Sequence, residues 1–236
     1  MTLIELEALA SEKLLINNEE SRASFLRLLN TGLLVNVIDN LLCNEIELNE
    51  VASRSYYHNN GFLKVVLIEK RPKYSIRFHI WPDESFQAPD VHNHPWDMTG
   101  LILNGSYEWL IYSLDQTSEG SESFNLFECR YLEDYSGHSF HKLDKVILNR
   151  VDELSFRKGE IFQFPQTQYH SIRKENSQPA ESIVITGVSV VLSANVITNR
   201  RIMCSSISKN SSVESSFLRD KLSSFLERRL SWLLKI

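Results

Sequence analysis

Two short stretches of this sequence hold most of its candidate ligand side chains. They are Val91-His92-Asn93-His94-Pro95-Trp96-Asp97-Met98-Thr99-Gly100-Leu101-Ile102-Leu103-Asn104-Gly105 and Gly159-Glu160-Ile161-Phe162-Gln163-Phe164-Pro165-Gln166-Thr167-Gln168-Tyr169-His170. His92 and His94 stand two apart. On an extended strand such residues project from one face, so both imidazoles can reach one divalent ion at about 2.0–2.2 Å. A third ligand must come from elsewhere in the fold. His170 suits the part: it follows an apolar strand and a turn at Pro165, and an antiparallel neighbour would set its inward face opposite the first pair. Three protein ligands leave coordination positions open, as in reactive rather than structural sites. Any one of these histidines has a plainer reading as a core or solvated side chain. The two stretches together argue for a metal site.

Around them stand candidate second partners. Asp97 lies three residues after His94, at opposite strand parity unless Pro95 creates a bulge. As a fourth ligand it would give a histidine–carboxylate site like that of 2-oxoglutarate oxygenases; its plainer role is to orient a ligand or close a turn. On the strand Tyr74–Trp81, Arg77, His79 and Trp81 share a face. Turned inward, Arg77 could hold a substrate carboxylate with its planar fork, and His79 could move a proton or add a ligand. The other register turns the more apolar set Ile76, Phe78 and Ile80 inward. Tyr107 and Tyr169 are candidate hydrogen-bond donors to a substrate, while Trp96, Trp109 and Phe162 read as core or as an aromatic platform. His138 and His141 fall in what reads as an irregular surface loop.

These side chains need a scaffold, and the pattern supplies one. Residues 3–45 carry apolar positions at three- and four-residue steps, with breaks at Asn17–Asn18 and Asn30–Gly32, so two or three short helices are expected. From 60 to 197 short β-branched and aromatic runs alternate with turn residues: Phe62–Ile68, Tyr74–Trp81, Met98–Leu103, Ser106–Leu114, Phe124–Tyr131, Asp144–Leu148, Glu160–Phe164, Tyr169–Arg173 and Ser182–Leu192. Strands without helices between them indicate an antiparallel sandwich or barrel. Asp115–Ser123 reads as an exposed loop, and the long interval from Gly105 to Gly159 has room for an extra hairpin that could serve as a lid. Val213–Ile236 reads as an amphipathic helix packed on the barrel or the N-terminal helices, or forming a homodimer contact. The expected division is a helical region at 1–58, a β-barrel at 59–198, and a linker with a C-terminal helix at 199–236.

Bulk properties exclude several classes. With 236 residues, 42% of them hydrophobic and only 8 Gly and 6 Pro, the chain is neither disordered nor fibrous. A net charge of −5 gives no positive field for nucleic acid. No unbroken apolar run reaches the ~18–20 residues of a membrane helix. Glu5 and Glu7 sit where a signal peptide needs a basic start and apolar centre, so a cytoplasmic address is expected. Cys43, Cys129 and Cys204 lack metal-knuckle spacing and read as structural thiols.

The two stretches resemble the two motifs of the cupin superfamily. His92, His94 and Gly105 fit the first motif, and Gly159, Pro165 and His170 fit the second. The resemblance covers about residues 60–195. It implies a mainly β fold, the cupin-type double-stranded β-helix or jelly-roll barrel, here with N-terminal helices and a C-terminal amphipathic helix. Two positions depart: Met98 stands where many cupins carry a metal-binding Glu, and Thr167 replaces a Gly. Loss of the Glu leaves a three-histidine site similar to that of cysteine dioxygenase and related thiol dioxygenases. This implies a non-haem Fe(II) oxygenase or dioxygenase acting with O2 on a small polar substrate, such as an amino acid, a thiol or a peptide side chain. A Zn, Mn or Ni lyase, isomerase or epimerase, and a non-enzymatic ligand-binding cupin, are the alternatives.

Overall fold

The structure is a computed structural model and describes residues 1–87, 90–116, 122–133, 137–174, 178–189, 191–204 and 206–233. Helix α1 (Leu3–Lys13) starts at a capping box, in which Thr2 accepts from the Glu5 amide and the Glu5 carboxylate accepts from the Thr2 amide. Asn18 caps α2 (Glu19–Leu28), which runs through a π turn (Leu29–Leu33) into α3 (Leu34–Cys43). The kink is at Gly32, whose φ of 109° suits a residue without a side chain. Both sequence breaks are thus real. A further helix, α4 (Glu45–Arg54), capped by Asn44, continues past the periodic run at 3–45 and lies within the helical region expected at 1–58. Within Glu19–Cys43 an 18-residue window has a mean hydropathy of 1.3, apolar enough by length and composition to cross a membrane. Here it is bent at Gly32, and Phe25, Leu26, Leu34, Val37, Ile38 and Leu41 are buried in the core.

The strands follow: β1 (Tyr56–Tyr57), β2 (Leu63–Lys70), β3 (Tyr74–Trp81), β4 (Phe86–Gln87), β5 (Val91–His92), β6 (Met98–Asn104), β7 (Ser106–Gln116), β8 (Phe124–Tyr131), β9 (Gly137–Arg157), β10 (Ile161–Phe164), β11 (Tyr169–Lys174), β12 (Ala180–Thr186), β13 (Ser193–Thr198) and β14 (Ser208–Lys209), then α5 (Ser215–Leu233). They form two antiparallel sheets, ordered β1-β2-β3-β12-β6-β10 and β14-β9-β7-β11-β5-β13-β8, with β4 beside β11. The path is that of one long hairpin wound on itself. Starting from the β7–β9 end, β6 pairs with β10, β5 with β11 and β3 with β12, and successive pairs alternate between the sheets. That winding is the double-stranded β-helix, or jelly roll.

Two cores flank the first sheet. Outside it, Ile76, Phe78, Leu101, Ile183 and Ile185 pack against the N-terminal helices and against Leu218, Leu222 and Phe225 of α5. The α5 stripe therefore lies on the helical layer, where Phe225 meets Phe78 at 4.8 Å and Arg219 donates to the Leu42 carbonyl. Inside the barrel, Trp81, Trp96, Trp109, Tyr107, Phe162 and Phe164 make an aromatic core. Strand β3 is consequently buried on both faces, with Ile76 and Phe78 towards the helices and Arg77 and Trp81 towards the interior.

Several expected elements are redrawn. The run Ser182–Leu192 is not one strand: β12 ends at Thr186, where the next amide, that of Gly187, donates to the Asp97 carbonyl, and β13 begins afresh at Ser193. The expected Asp144–Leu148 strand is part of a 21-residue strand, β9, which pairs first with β8 and then with β7. His138 and His141 lie on that strand and not in a loop, although Tyr135 and Ser136 fall outside the described residues. Asp115 and Gln116 of the expected loop continue β7, and 117–121 fall outside the described residues.

Candidate metal centre

His92 and His170 are directly opposed residues of β5 and β11. Directly opposed residues in an antiparallel pair present their side chains on the same face, so strand register alone brings the two rings to a centroid separation of 4.5 Å. His94 lies beyond the end of β5, yet the chain keeps its course: the Asn93 amide donates to the Asn195 carbonyl, and the Asn195 amide to the Asn93 side chain. The His94 ring stands 4.8 Å from His92 and 5.1 Å from His170. One candidate ligand atom from each residue lies within 4.8 Å of the other two. The sequence expectation of convergence is met in space.

The electronic state of the three rings fits a cation. Burial holds His94 and His170 well below the usual imidazole range, with the neighbouring His92 adding to the effect, and burial together with Lys64 brings His92 down to about 4. All three are neutral at pH 7, so their ring lone pairs are available. The Nδ1–H of His170 donates to the Gln168 carbonyl at 3.1 Å, which leaves Nε2 as the free donor atom. His92 Nδ1 lies 3.4 Å from the Asp90 carbonyl and 3.3 Å from the Asn60 amide. His94 Nε2 is buried with no hydrogen-bond partner. A buried, unpartnered ring nitrogen beside two others is what a divalent ion would satisfy.

His92 and His94 of the cluster form part of the wall of a cavity of about 460 Å³, shared with His58, Asn60, Lys64, Arg77, Trp96, Cys129, Tyr131 and His138, while His170 lies behind them and outside the wall. The β8–β9 hairpin fills the long interval between the two motif glycines and contributes Cys129, Tyr131 and His138. The β14 segment pairs with β9, and Lys209, Asn210 and Ser212 join the lining. Burial drives the Cys129 thiol up to about 12, so it is no thiolate at neutral pH.

The remaining sequence candidates divide. Arg77 turns inward, with its guanidinium carbon 4.5 Å from the Trp96 ring centre, and Trp96 in turn lies nearly parallel to His94. His79 points to the same side but sits between Phe62 and Trp81, outside the histidine cluster. Asp97 is exposed, and its Oδ1 accepts from the Gln166 amide at 2.9 Å; it closes the turn before His170 and stands apart from the three rings. Tyr107 belongs to the aromatic core, between Trp81, Trp109 and Phe162. Tyr169 alternates with His170 and faces the other side of β11, where its hydroxyl accepts from Asn195. Neither tyrosine is part of the cavity wall. The wall's phenols are Tyr56 and Tyr131, which the sequence reading passed over, as it did His58, Asn60 and Lys64. Lys64 carried a signal: it interrupts the apolar run Leu63–Ile68 in a strand whose neighbours are buried on both faces.

No protein-family model and no curated protein matches the chain. Solved structures similar to it include the cupin domain of Cnp3 from Schizosaccharomyces pombe (12% identity over 54% of this chain and 61% of that one, TM-score 0.33). The DMSP lyase DddQ from Ruegeria pomeroyi matches at 15% identity over 57% of this chain and 50% of its own, TM-score 0.35. The hydroquinone 1,2-dioxygenase PnpCD, in complex with Cd2+ and 4-hydroxybenzonitrile, matches at 15% identity over 59% and 69%, TM-score 0.35. The chain thus spans only half to three-fifths of the first two.

Proposed function

We propose that the protein is a metal-dependent enzyme of the non-haem Fe(II) oxygenase type, which admits a small polar substrate to the cavity beside His92, His94 and His170. The observation that carries the reading is the convergence of three neutral imidazoles, two of which, His92 and His94, line a cavity. A divalent ion held there supplies the O2 and electron chemistry when bound. The chain's own residues bind, orient and shield. Gln168 fixes the His170 ring by accepting its Nδ1 proton, and the Asp90 carbonyl is placed to do the same for His92. Trp96 and Trp109 pack against His94 and His170 and hold the rings in position. Arg77 faces the same space with its guanidinium and anchors a polar substrate group. His58 accepts from the Asn60 amide at Nδ1, so its proton sits on Nε2.

Anaerobic titration with Fe(II), followed by metal analysis of the desalted protein, tests the reading. About one equivalent per chain is expected, falling to a small fraction in His170→Ala. Uptake unchanged by that substitution would refute the site. A Zn, Mn or Ni lyase or isomerase would use the same three nitrogens around a Lewis acid. O2 consumption by the iron-loaded protein with candidate amino acids and thiols separates the two chemistries.

A further inference from the structure

The cavity holds more positive charge than the chain neutralises. Lys64 and Arg77 are both buried, at 8% and 4% exposure, and both belong to its wall. Lys64 stands opposite His79 in the β2–β3 pair, and Arg77 stands opposite Val66, so the two cations are diagonal neighbours on one inward face. The hydrogen bond of Lys64 goes to the Tyr56 hydroxyl, a neutral group, at 3.2 Å. Arg77 stacks on Trp96, and its Nε has no partner. The cavity wall does contain two carboxylates, but both are engaged elsewhere: Glu69 with Arg71 at 2.5 Å, and Asp90 with Arg200. Among the described residues neither Lys64 nor Arg77 has an ion-pair partner. Buried charges in folded proteins are normally paired.

From this we infer that the cavity is a receptor for a small anion, an acidic head group seated between Lys64, Arg77 and the Tyr56 hydroxyl, on a molecule whose remainder faces the histidine cluster. The substrate class is then a small organic acid. The inference deepens the reading of the cavity as a substrate site but does not depend on the metal. A cavity of about 460 Å³ falls within the size range of small-molecule sites, ~300–1,000 Å³. An ammonium beside a guanidinium suits any oxyanion: the fork of Arg77 gives two parallel donors, and Lys64 a point charge. Supporting this, burial and the charges of Arg77 and Arg71 push the Lys64 ammonium well below its ordinary range, a state that a bound anion would reverse. The three ring nitrogens are neutral and do nothing to offset the cations.

The experiment is calorimetric titration of the full-length, metal-free protein with malonate, with inorganic phosphate, and with malonamide as the uncharged analogue of malonate. Saturable binding is expected for malonate, for phosphate or for both, and none for malonamide. Lys64→Met and Arg77→Met should each weaken the anion about ten- to hundred-fold, the loss of one charge-assisted hydrogen bond. Arg77→Lys, which keeps the charge and loses the fork, should fall between wild type and Arg77→Met, and it serves if either methionine variant does not fold. The inference is overturned if neither anion binds saturably below about 10 mM, if malonamide binds as well as malonate, or if the folded variants bind as wild type does. Anion binding by a protein that takes up no metal would sink the metal reading alone. Metal uptake with no anion binding would sink only this one.

Discussion

Gly100 lies on β6 directly opposite Phe162 of β10, and the Phe162 ring fills the space where a side chain at 100 would stand. A methyl group built on Gly100 would lie 2.5 Å from Cε2 and 2.6 Å from Cε1 of that ring, and closer still to Cζ. Ordinary carbon contacts need about 3.5–4.0 Å, so the ring must retreat by more than an ångström. It has nowhere to go. Phe162 is 1% exposed and walled by Tyr107, Trp109, Phe156 and Phe164 at ring-centre separations between 5.3 and 6.1 Å. Overpacking typically costs about 1–3 kcal/mol, and the enclosure places Gly100→Ala at about 3 kcal/mol. In a chain of this size that lowers the melting temperature by roughly 6–12 °C. Trp109 also lies 4.3 Å from the His170 ring, so a displaced Phe162 pushes towards a proposed ligand and metal affinity falls as well. The assay is urea denaturation of Gly100→Ala, Phe162→Leu and the double variant, with Fe(II) uptake as second readout. The double variant should be more stable than Gly100→Ala alone, because leucine vacates the contested space. A Gly100→Ala protein within about 0.5 kcal/mol of wild type would refute the reasoning, since the ring would then have had room to move.

Asn60 is 4% exposed and touches His92 Nδ1 across the cavity wall, so Asn60→Ala should weaken metal binding about ten- to hundred-fold with the fold intact, as measured by competition with a chromophoric chelator. Stability of the metal-free protein should rise with pH between about 4 and 6.5. His92 resists protonation until about pH 4 in the fold but accepts a proton near 6.5 when unfolded, so its contribution is complete above 6.5 and lost as pH falls through 4. That difference corresponds to about 3 kcal/mol for His92, and His58, His79, His94 and His170 are depressed in the same direction. A flat stability profile from pH 7 to 4.5 in thermal melts would contradict the burial of these rings. Gly137→Ala should loosen β14 from β9, because its methyl would come 2.8 Å from the Ser208 carbonyl oxygen, and faster proteolysis in 200–212 reports it.

The sequence made the strand bounds legible wherever turn residues stood on both sides: Tyr74–Trp81 and Phe124–Tyr131 are β3 and β8 to the residue. It made the histidine cluster legible because two-residue spacing and motif order survive translation into space. The inward partners were harder for a physical reason. Parity arguments assume one buried face per strand, whereas β3 buries both, since helices cover the outside of its sheet. Arg77 and Ile76 were therefore not competitors. Tyr169 was misplaced by proximity along the chain, although its adjacency to His170 already puts it on the opposite face. Asp97 takes the plainer of its expected roles, as acceptor for the turn that leads into His170. Of the site residues from β1, β2 and the turn between them, only Lys64 left a mark, as a charge inside an apolar run; for the others no local pattern says which strand lines the cavity.

Charge unites the two halves of the cavity. A carboxylate ligand at position 98 would have offset part of a divalent ion's charge, but Met98 is there, buried in the aromatic core. With three neutral imidazoles as ligands, the double charge of a bound ion would face Lys64 and Arg77 with nothing to offset it, since the two wall carboxylates are already tied to Arg71 and Arg200. In so desolvated a volume like charges repel strongly, so metal and cations oppose each other until an anion lies between them. An acid that occupies that place relieves both at once, and thermodynamic reciprocity then requires that each tighten the binding of the other. The same winding that sets His92 against His170 also sets β2 and β3 in the facing sheet, so the fold builds a histidine cluster and a cationic pair from strands distant in sequence.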